Sequence, residues 1–460
     1  MKNELLSKFF RYALPGMFGM LGISCYILAD TFFISLGIGM NGVAALNLAM
    51  PSYSLVHGLG LLLGMGGAIR FSVLKSRGDG RGASAVFTAV CLIGAGIAAV
   101  LITVAALFSR QIVTLLGAEG EVLEMADTYL RMLLFFSPAF LLNDILVCFV
   151  RSDGAPKLSM ASVLAGSLSN VLLDYIFIFP CGWGMFGAIL ATGLAPCIGV
   201  CMSSLHFLRR RNSFGFTKGR FLRYAAPCFA LGLPFLAEQI STGAVIVAFN
   251  FILLRLAGNP GVAAYGVVAN LSLVVISLFT GLAQGVQPLF SRAHGEEDAE
   301  TSRRLLVCAA TFALALAIAV AAAVAACASP IARIFNSEGD ALMQSIAVPG
   351  LRLYFIAAPF AGFNIVLCSF FAAGERALPA QLLTFLRGFL LLLPAAFAFS
   401  ALWGVTGAWL SFPAAEFLTA ALGAALLFAH RKNKKGGRGQ AIGPAAGKPD
   451  VKDISAAGEL

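Results

Sequence analysis

Long apolar runs separated by short polar loops dominate this sequence and constrain its fold most strongly. A helix crosses the roughly 30 Å apolar core of a bilayer with about 20 residues, and about twelve runs approach or exceed that length. The runs cover residues 11–36, 43–73, 83–108, 126–150, 158–180, 185–207, 225–254, 262–291, 304–328, 347–372, 378–399 and 402–429. The pattern predicts an all-α integral membrane protein with twelve transmembrane helices.

The composition excludes the soluble alternatives. Hydrophobic residues make up 59% of the 460 residues and charged residues only 12%, whereas an ordinary globular domain has about 25% charged residues. A soluble enzyme, a nucleic-acid-binding protein and a disordered chain are therefore set aside. Residues 1–22 resemble a signal peptide, with a basic segment before an apolar one. No small-residue cleavage pattern follows, so we expect this run to remain as the first spanning helix.

Lysine and arginine alternate between successive loops, and this alternation predicts the orientation in the membrane. Most of them lie in residues 2–11, 75–81, 151–157, 209–223, 292–304, 376 and 431–438. The opposite loops hold only Arg110, Arg131, Arg255, Arg333 and Arg352. Basic loops face the cytoplasm, so we expect a multi-pass protein of the inner (plasma) membrane with both termini cytoplasmic. Topology thus explains the net charge of +10, and no nucleic-acid partner is predicted.

The cysteines and histidines show no metal or disulfide pattern. The ten cysteines lie mostly inside apolar runs and form no C-x-x-C pair, and the four histidines are dispersed. These cysteines are predicted to be small buried hydrophobic residues. We therefore expect no cofactor and no transition-metal centre.

The two halves of the chain repeat each other. Four blocks recur at a nearly constant offset, from 234 − 15 = 219 to 403 − 183 = 220. The blocks are Leu14-Pro15 with Leu233-Pro234, Gly42-Val-Ala-Ala with Gly261-Val-Ala-Ala, Gly154 with Gly374, and Trp183-Gly184-x-x-Gly187-Ala188 with Trp403-Gly404-x-x-Gly407-Ala408. Each half has six spans, so both halves enter the membrane in the same direction. The repeat predicts two six-helix bundles related by a pseudo-two-fold axis along the membrane normal.

The repeat also sets the predicted domain boundaries. Residues 1–207 form an N-terminal lobe with the cation-coupling site, and residues 225–430 form a C-terminal lobe. A basic cytoplasmic linker covers residues 208–224. Residues 431–460 are rich in Gly, Pro and Lys and are predicted to be a disordered tail.

Several short motifs resemble one transporter family. They are Ala29-Asp30-Thr31-Phe32-Phe33-Ile34, the stretch from Gly42 to Pro51, Asn170-x-x-x-Asp174 and Gly187-Ala188-x-x-Ala191-Thr192. In this order, with twelve spans and a duplication, they resemble the multidrug and toxic compound extrusion (MATE) family and its MepA-like bacterial branch. The resemblance implies a cation-coupled exporter of cationic amphipathic drugs, with two lobes around a central cleft. It also implies that Asp30, Asn170, Asp174 and Thr192 take part in cation coupling.

The buried acids of the N-terminal half independently indicate such a site. An ionisable group inside a span is costly and is therefore a functional candidate. Asp30, Asp174 and Thr192 lie at one depth, roughly 10 Å below the outer surface at 1.5 Å per residue. Asn170 is one turn from Asp174 and shares its helix face. The set can bind a proton, or Na⁺ at Asp30 and Asp174, and the sequence leaves both ions open. By the repeat offset, the C-terminal half lacks these acids.

The drug cleft is expected where the first, second, seventh and eighth spans meet. The polar, aromatic and flexible side chains proposed to line it are Met50, Tyr53, Glu238, Gln239, Asn250, Gln284 and Gln287. Whether Glu238, Asp144 and the pair Arg387 and Glu416 are functional or structural remains open at this stage.

Two other functions are alternatives to drug export. A flippase for lipid-linked saccharides has a related architecture but requires a positively charged cleft for the pyrophosphate. A membrane enzyme requires a nucleophile–base pair or a metal motif, and none is evident. The expected partners are organic cations and membrane lipid, and we expect a monomer.

Overall fold

The computed structural model describes residues 2–218, 221–336 and 339–440, and these residues form thirteen α-helices and no β-strand. The helices are α1 (Lys2–Gly37), α2 (Met40–Ser76), α3 (Gly80–Leu115), α4 (Gly120–Phe135), α5 (Ser137–Ser152), α6 (Pro156–Ile178), α7 (Gly184–Leu208), α8 (Ala225–Gly295), α9 (Ala299–Phe335), α10 (Ala341–Tyr354), α11 (Ala358–Ala373), α12 (Ala377–Phe385) and α13 (Leu392–Gln440). Short 3₁₀ turns lie at Phe221–Tyr224 and Phe355–Ala357, and a π-helical turn lies at Leu386–Leu390.

These helices make twelve membrane spans, as the sequence predicts. Within the described residues, nine helical segments are long and apolar enough to cross a membrane, and the pair α4–α5, bent by 50°, makes a tenth. The 71 residues of α8 would measure about 105 Å, so α8 crosses twice and bends at Gly258. The segment Ala377–Ala429 also crosses twice, with its bend at Trp403 and Gly404.

The duplication is visible in the backbone at the bends between spans. Gly39, with φ 89°, follows the first span, and Gly258, with φ 65°, follows the seventh (258 − 39 = 219). Gly184 and Gly404, with φ 53° and 59°, begin the sixth and twelfth spans (404 − 184 = 220). Glycine adopts such positive φ angles without the steric cost of a Cβ. The same turn chemistry therefore shapes both halves.

The two halves pack closely at the end of the molecule that carries the loops 77–79, 153–155, 296–298 and 374–376, which we call the basic end. There α2 passes the first half of α8, and a Cβ on Gly66 would overlap the carbonyl oxygen of Cys228. By symmetry α1 passes the second half of α8, and a Cβ on Gly285 would overlap the carbonyl oxygen of Tyr12 (285 − 66 = 219). Small residues allow such backbone contact in membranes. The halves are therefore closed against each other at the basic end.

The segment that connects the halves is fixed to the first of them. The Asp153 carboxylate accepts hydrogen bonds from the backbone N–H of Ser213 and from His206 Nε2, each at 2.8 Å, and also pairs with Lys75. Burial alone would raise the pKa of Asp153, but the hydrogen bonds from Lys75, Ser213 and His206 outweigh it and hold that pKa below its usual value. Phe214 packs in a cluster with Phe71, Phe87, Phe149 and Phe207. Residues 209–217 thus belong structurally to the first lobe.

The last helix extends further than the sequence analysis predicts. The backbone of α13 remains helical to Gln440, which includes the first part of the predicted disordered tail 431–460. Residues 431–440 contain no proline, so every backbone N–H of this segment is available for helical hydrogen bonds. Residues 441–460 lie outside the described residues.

Candidate functional site

The four predicted coupling residues come together in the first lobe. Asp30 on α1, Asn170 and Asp174 on α6, and Thr192 on α7 are all 3% exposed or less. With the Asn170 amide oriented to satisfy both neighbours, its Nδ2 donates to Asp174 Oδ2 at 3.2 Å and its Oδ1 accepts from Thr192 Oγ1 at 3.3 Å. Asp30 and Asp174 are close enough to interact electrostatically.

Each of these two acids has one buried oxygen without a partner. Oδ1 of Asp30 and Oδ1 of Asp174 accept no hydrogen bond within the described residues. Polar atoms without a partner are costly to bury, so two such oxygens in one site need an explanation, such as a bound ion or proton. The surrounding ligands are all oxygens, from two carboxylates, an amide and a hydroxyl. This set suits a proton or a hard cation such as Na⁺.

Tyr129 on α4 belongs to this site, and the sequence analysis missed it. Its buried hydroxyl lies within electrostatic reach of Asp30 and Asp174 and contacts Thr192. Nothing in the sequence distinguishes Tyr129 from other aromatic residues of the apolar runs. Only the packing of α4 against α7 places it beside the acids.

A cleft of about 220 Å³ lies between the two lobes. Three of the predicted cleft residues line it, namely Tyr53, Glu238 and Gln239. Aromatic rings of the second lobe add flat apolar surface to the cleft. Methionine and isoleucine side chains of α1 add further apolar surface. These further lining residues include Met20, Ile23, Tyr265, Tyr354 and Phe412. Such a surface suits flat organic cations.

The structure places the other four predicted cleft residues elsewhere. Met50 packs against the apolar core of the first lobe, and Asn250 is half-buried on α8 outside the cleft lining. Gln284 accepts a hydrogen bond from Arg151 at 3.4 Å, and Gln287 donates to Ser291 at 2.7 Å. Both glutamines are buried because the second half of α8 packs tightly on α1 toward the basic end.

Three charged residues form one wall of the cleft in the second lobe. Arg387 Nη2 lies 2.9 Å from Glu416 Oε1, and Arg387 Nη1 lies 3.6 Å from Glu238 Oε1. Asn364 Nδ2 donates to Glu416 Oε2 at 2.6 Å. The group, which we call the charged triad, has two acids and one base, so its formal charge is −1. The π-helical turn Leu386–Leu390 includes Arg387, and such turns are frequent at functional sites.

The two halves of the chain, with these sites, match one protein family. A family model described as MatE matches residues 15–176 and 234–398, which covers most of both lobes. The chain belongs to the MATE family. Within it, the chain is MepA-like: it is 26% identical over 414 residues to the multidrug export protein MepA of Staphylococcus saprophyticus, and this alignment covers 88% of the chain and 90% of that relative.

Solved MATE structures share the fold. A crystal structure of a MATE protein in complex with MaL6 matches with a TM-score of 0.87 and 23% identity, over 92% of this chain and 97% of that one. An outward-facing multidrug resistance MATE transporter of the MOP superfamily also has a TM-score of 0.87, at 22% identity, over 92% and 96% of the two chains. At this identity the likeness supports the twelve-helix, two-bundle fold and no more. The named relatives are transporters.

The charged triad should also stabilise this MATE protein. Glu416 is 1% exposed and Arg387 11%, so the change Glu416→Gln leaves a buried guanidinium without its main partner. Breaking a buried pair in this way costs about 3–5 kcal/mol, and we expect a lower free energy of unfolding with a lower melting temperature in detergent. The exposed pair Arg304–Glu300 is the matched control, because Glu300→Gln should cost at most about 1 kcal/mol. Equal melting temperatures for the two variants would contradict a buried pair.

Proposed function

We propose that this protein is a multidrug efflux antiporter that exports cationic amphipathic compounds in exchange for H⁺ or Na⁺. The observation that carries the proposal combines two features. The buried acids Asp30 and Asp174 each have an oxygen without a hydrogen-bond partner, and the cleft between the lobes is negatively charged. The name of the relative from Staphylococcus saprophyticus supports the multidrug part. H⁺ and Na⁺ are proposed as coupling ions because the possible ligands at this site are all oxygen atoms.

The mechanism proposed is alternating access. Basic loops face the cytoplasm, so the closed basic end is the cytoplasmic end and the cleft in this structure belongs to the outward-facing arrangement. Coupling requires that the cation and the drug prefer different arrangements, because a ligand with equal affinity for both shifts nothing. Cation binding at Asp30 and Asp174 would favour one tilt of the lobes, and drug binding in the cleft the other.

The proposed setting is the plasma membrane, with both termini in the cytoplasm. Each chain holds both lobes, the acid pair and a complete cleft, which supports a working monomer. A lipid-linked saccharide flippase is disfavoured because the charged triad has a formal charge of −1, which repels a pyrophosphate.

Ethidium transport by purified protein in liposomes, with the proton and sodium gradients imposed one at a time, tests this proposal. We expect ethidium to move against its gradient when one of the two ion gradients is present, and to stop when that gradient is dissipated. Movement of a lipid-linked saccharide without ethidium movement would favour the flippase. An ethidium transport rate that is the same with and without each gradient would contradict antiport.

Glu238 should provide the negative charge that attracts the drug. Its side chain is 23% exposed, and its only ion-pair distance among the described residues is the 3.6 Å to Arg387. Two opposite unit charges about 4 Å apart attract by at most about 4 kcal/mol at an effective dielectric constant of about 20, and desolvation offsets part of this, so Glu238→Gln should weaken binding of ethidium about 10- to 100-fold. Binding of a neutral substrate should change little, and Glu296→Gln on the outer surface of the basic end serves as the control. Equal losses for charged and neutral compounds would rule out this charge role.

A further inference from the structure

His57 occupies a wall shared by two cavities. It lies on α2 and lines the cleft between the lobes and also a smaller cavity of about 80 Å³, which is lined by the first lobe and by Gln284 of α8. Its side chain is 13% exposed, so the ring is mostly buried but retains a polar edge toward the cavities. An ionisable side chain at mid-membrane is a functional candidate by default.

His57 is paired with a buried acid. Its Nδ1 lies 2.9 Å from Oδ2 of Asp144 on α5, an ion-pair distance, and that buried oxygen accepts no hydrogen bond within the described residues. A Cβ on Gly60 would overlap Asp144 Oδ2, so the glycine on α2 provides the space for this acid. The repeat-related position is Asn364 (364 − 144 = 220), which contacts Glu416 instead. The titratable pair therefore exists in the first lobe alone.

Two tyrosines connect this pair to the coupling acids. The Tyr53 ring lies parallel to the His57 ring, at 6.1 Å and 17°. The Tyr53 hydroxyl hydrogen-bonds the Tyr26 hydroxyl, and Tyr26 lies one helical turn before Asp30 on α1. The titratable and charged side chains that face His57 or share its two cavities come from several elements. They are Tyr26 of α1, Tyr53 of α2, Asp144, Cys148 and Arg151 of α5, Glu238 and Tyr265 of α8, Tyr354 of α10, Arg387 of the π-helical turn and Glu416 of α13.

We propose that His57 and Asp144 form a second proton-binding site, separate from Asp30 and Asp174, from which a cationic drug in the cleft displaces the proton. Nδ1 faces the acid and keeps its proton in both states, so the exchangeable proton binds at Nε2. With that proton the pair is neutral overall, and without it the pair carries −1. A drug cation near the imidazolium is repelled, so its entry favours loss of the proton to water in the cleft. This inference depends on the proposed cationic substrate.

A proton count upon drug binding tests this site directly. Purified protein in weakly buffered detergent, near the ordinary His range of about pH 6.5, is mixed with ethidium while a pH dye reports protons released. We expect the wild type to release protons in proportion to bound ethidium, and His57→Gln to release up to one fewer per ethidium. Asp144→Asn should also reduce the release, because the neutral amide holds an imidazolium less well.

The chain offers a chemically matched control. His206 and Asp153 form a second His–Asp pair at 2.8 Å, away from both cavities, so His206→Gln should release as many protons as the wild type. The double variant Asp30→Asn/Asp174→Asn should lose gradient-driven transport but retain the release that depends on His57. Unchanged release in His57→Gln would overturn this inference alone. Absence of any ethidium binding by the wild type would instead contradict the proposed function.

A second measurement applies to the wild type in case His57→Gln does not fold. With ¹⁵N-labelled histidine, one of the four imidazole signals should change from the charged to the neutral form when ethidium is added at constant pH. The signal is assigned to His57 by replacing His206, His294 and His430 with glutamine one at a time, because it should persist in all three. A His57 signal that does not respond to ethidium would overturn the proposal.

Discussion

Replacing either Asp30 or Asp174 with asparagine should abolish drug export while the protein remains folded in the membrane. Both carboxylates are buried, and each has an oxygen without a hydrogen-bond donor. An amide has nearly the same shape but cannot bind a proton at neutral pH or supply charge to Na⁺. The ion gradient would then no longer bias the two arrangements of the lobes, and gradient-driven ethidium export should fall to the rate of empty liposomes.

Asp127 is the matched control for this loss. It is a buried acid of the same lobe, and its Oδ1 also has no hydrogen-bond partner within the described residues, but its Oδ2 lies 3.1 Å from the cationic Arg131 Nη2, one turn away on α4. Asp127→Asn should therefore retain most of the export. Binding of ethidium to the purified coupling-site variants should persist, which separates lost coupling from misfolding. Export at the wild-type rate in both Asp30→Asn and Asp174→Asn would contradict a coupling role for this pair.

Depth in the membrane could be predicted from the sequence because a helix rises by a fixed 1.5 Å per residue. That rule put Asp30, Asp174 and Thr192 at one level, and the structure has them in one buried cluster. The apolar runs likewise predict span boundaries between residues 254 and 262 and between residues 399 and 402, and the structure bends at Gly258 and at Trp403 and Gly404. These features depend on position along a helix and on glycine conformations, both of which are local properties of the chain.

The direction in which a side chain faces could not be predicted in the same way. Gln284 and Gln287 lie on α8 as expected, but the close approach of Gly285 to Tyr12 turns this part of the helix toward α1 instead of the cleft. The sequence analysis pairs Arg387 with Glu416, but no sequence pattern predicts the π-helical turn that holds Arg387 or its approach to Glu238. Rotation and register depend on which helices touch, and a single sequence does not contain that information.

The two lobes carry different chemistry on a common scaffold. The first lobe holds the paired acids and the His57–Asp144 pair, whereas the second lacks acids at the positions related to Asp30 and Asp174 and holds the charged triad. His57 and the charged triad line the space between the lobes, and α8 contributes to that space from both of its spans. A duplicated fold thus lets one half respond to the ion and the other to the drug, with the packing between the halves as the link.

A covalent bridge across the basic end should stop transport reversibly. Arg70 of α2 forms an ion pair with Glu375, which follows α11 in the other lobe, and Arg77 and His294 each lie 3.8 Å from the same carboxylate. His294 belongs to the same lobe as Glu375, so alternating access requires only the contacts of Arg70 and Arg77 with Glu375 to separate. In a background without the exposed native cysteines, the variant Arg70→Cys/Glu375→Cys treated with a short cleavable bifunctional maleimide should therefore lose ethidium export.

The bridge should hold the outward-facing arrangement without destroying the cleft. Bridged protein should still bind ethidium, and cleavage of the reagent should restore export. A bridge between Arg292→Cys on α8 and Glu296→Cys, directly after the end of that helix, stays within one lobe and should leave export unchanged. Gly66 and Gly285 bring the backbones of the two lobes into contact at the same end. The lobes therefore cannot separate there while the bridge is intact. Export that continues in fully bridged protein would therefore mean that the basic end does not open, and the alternating-access mechanism proposed for this chain would be wrong.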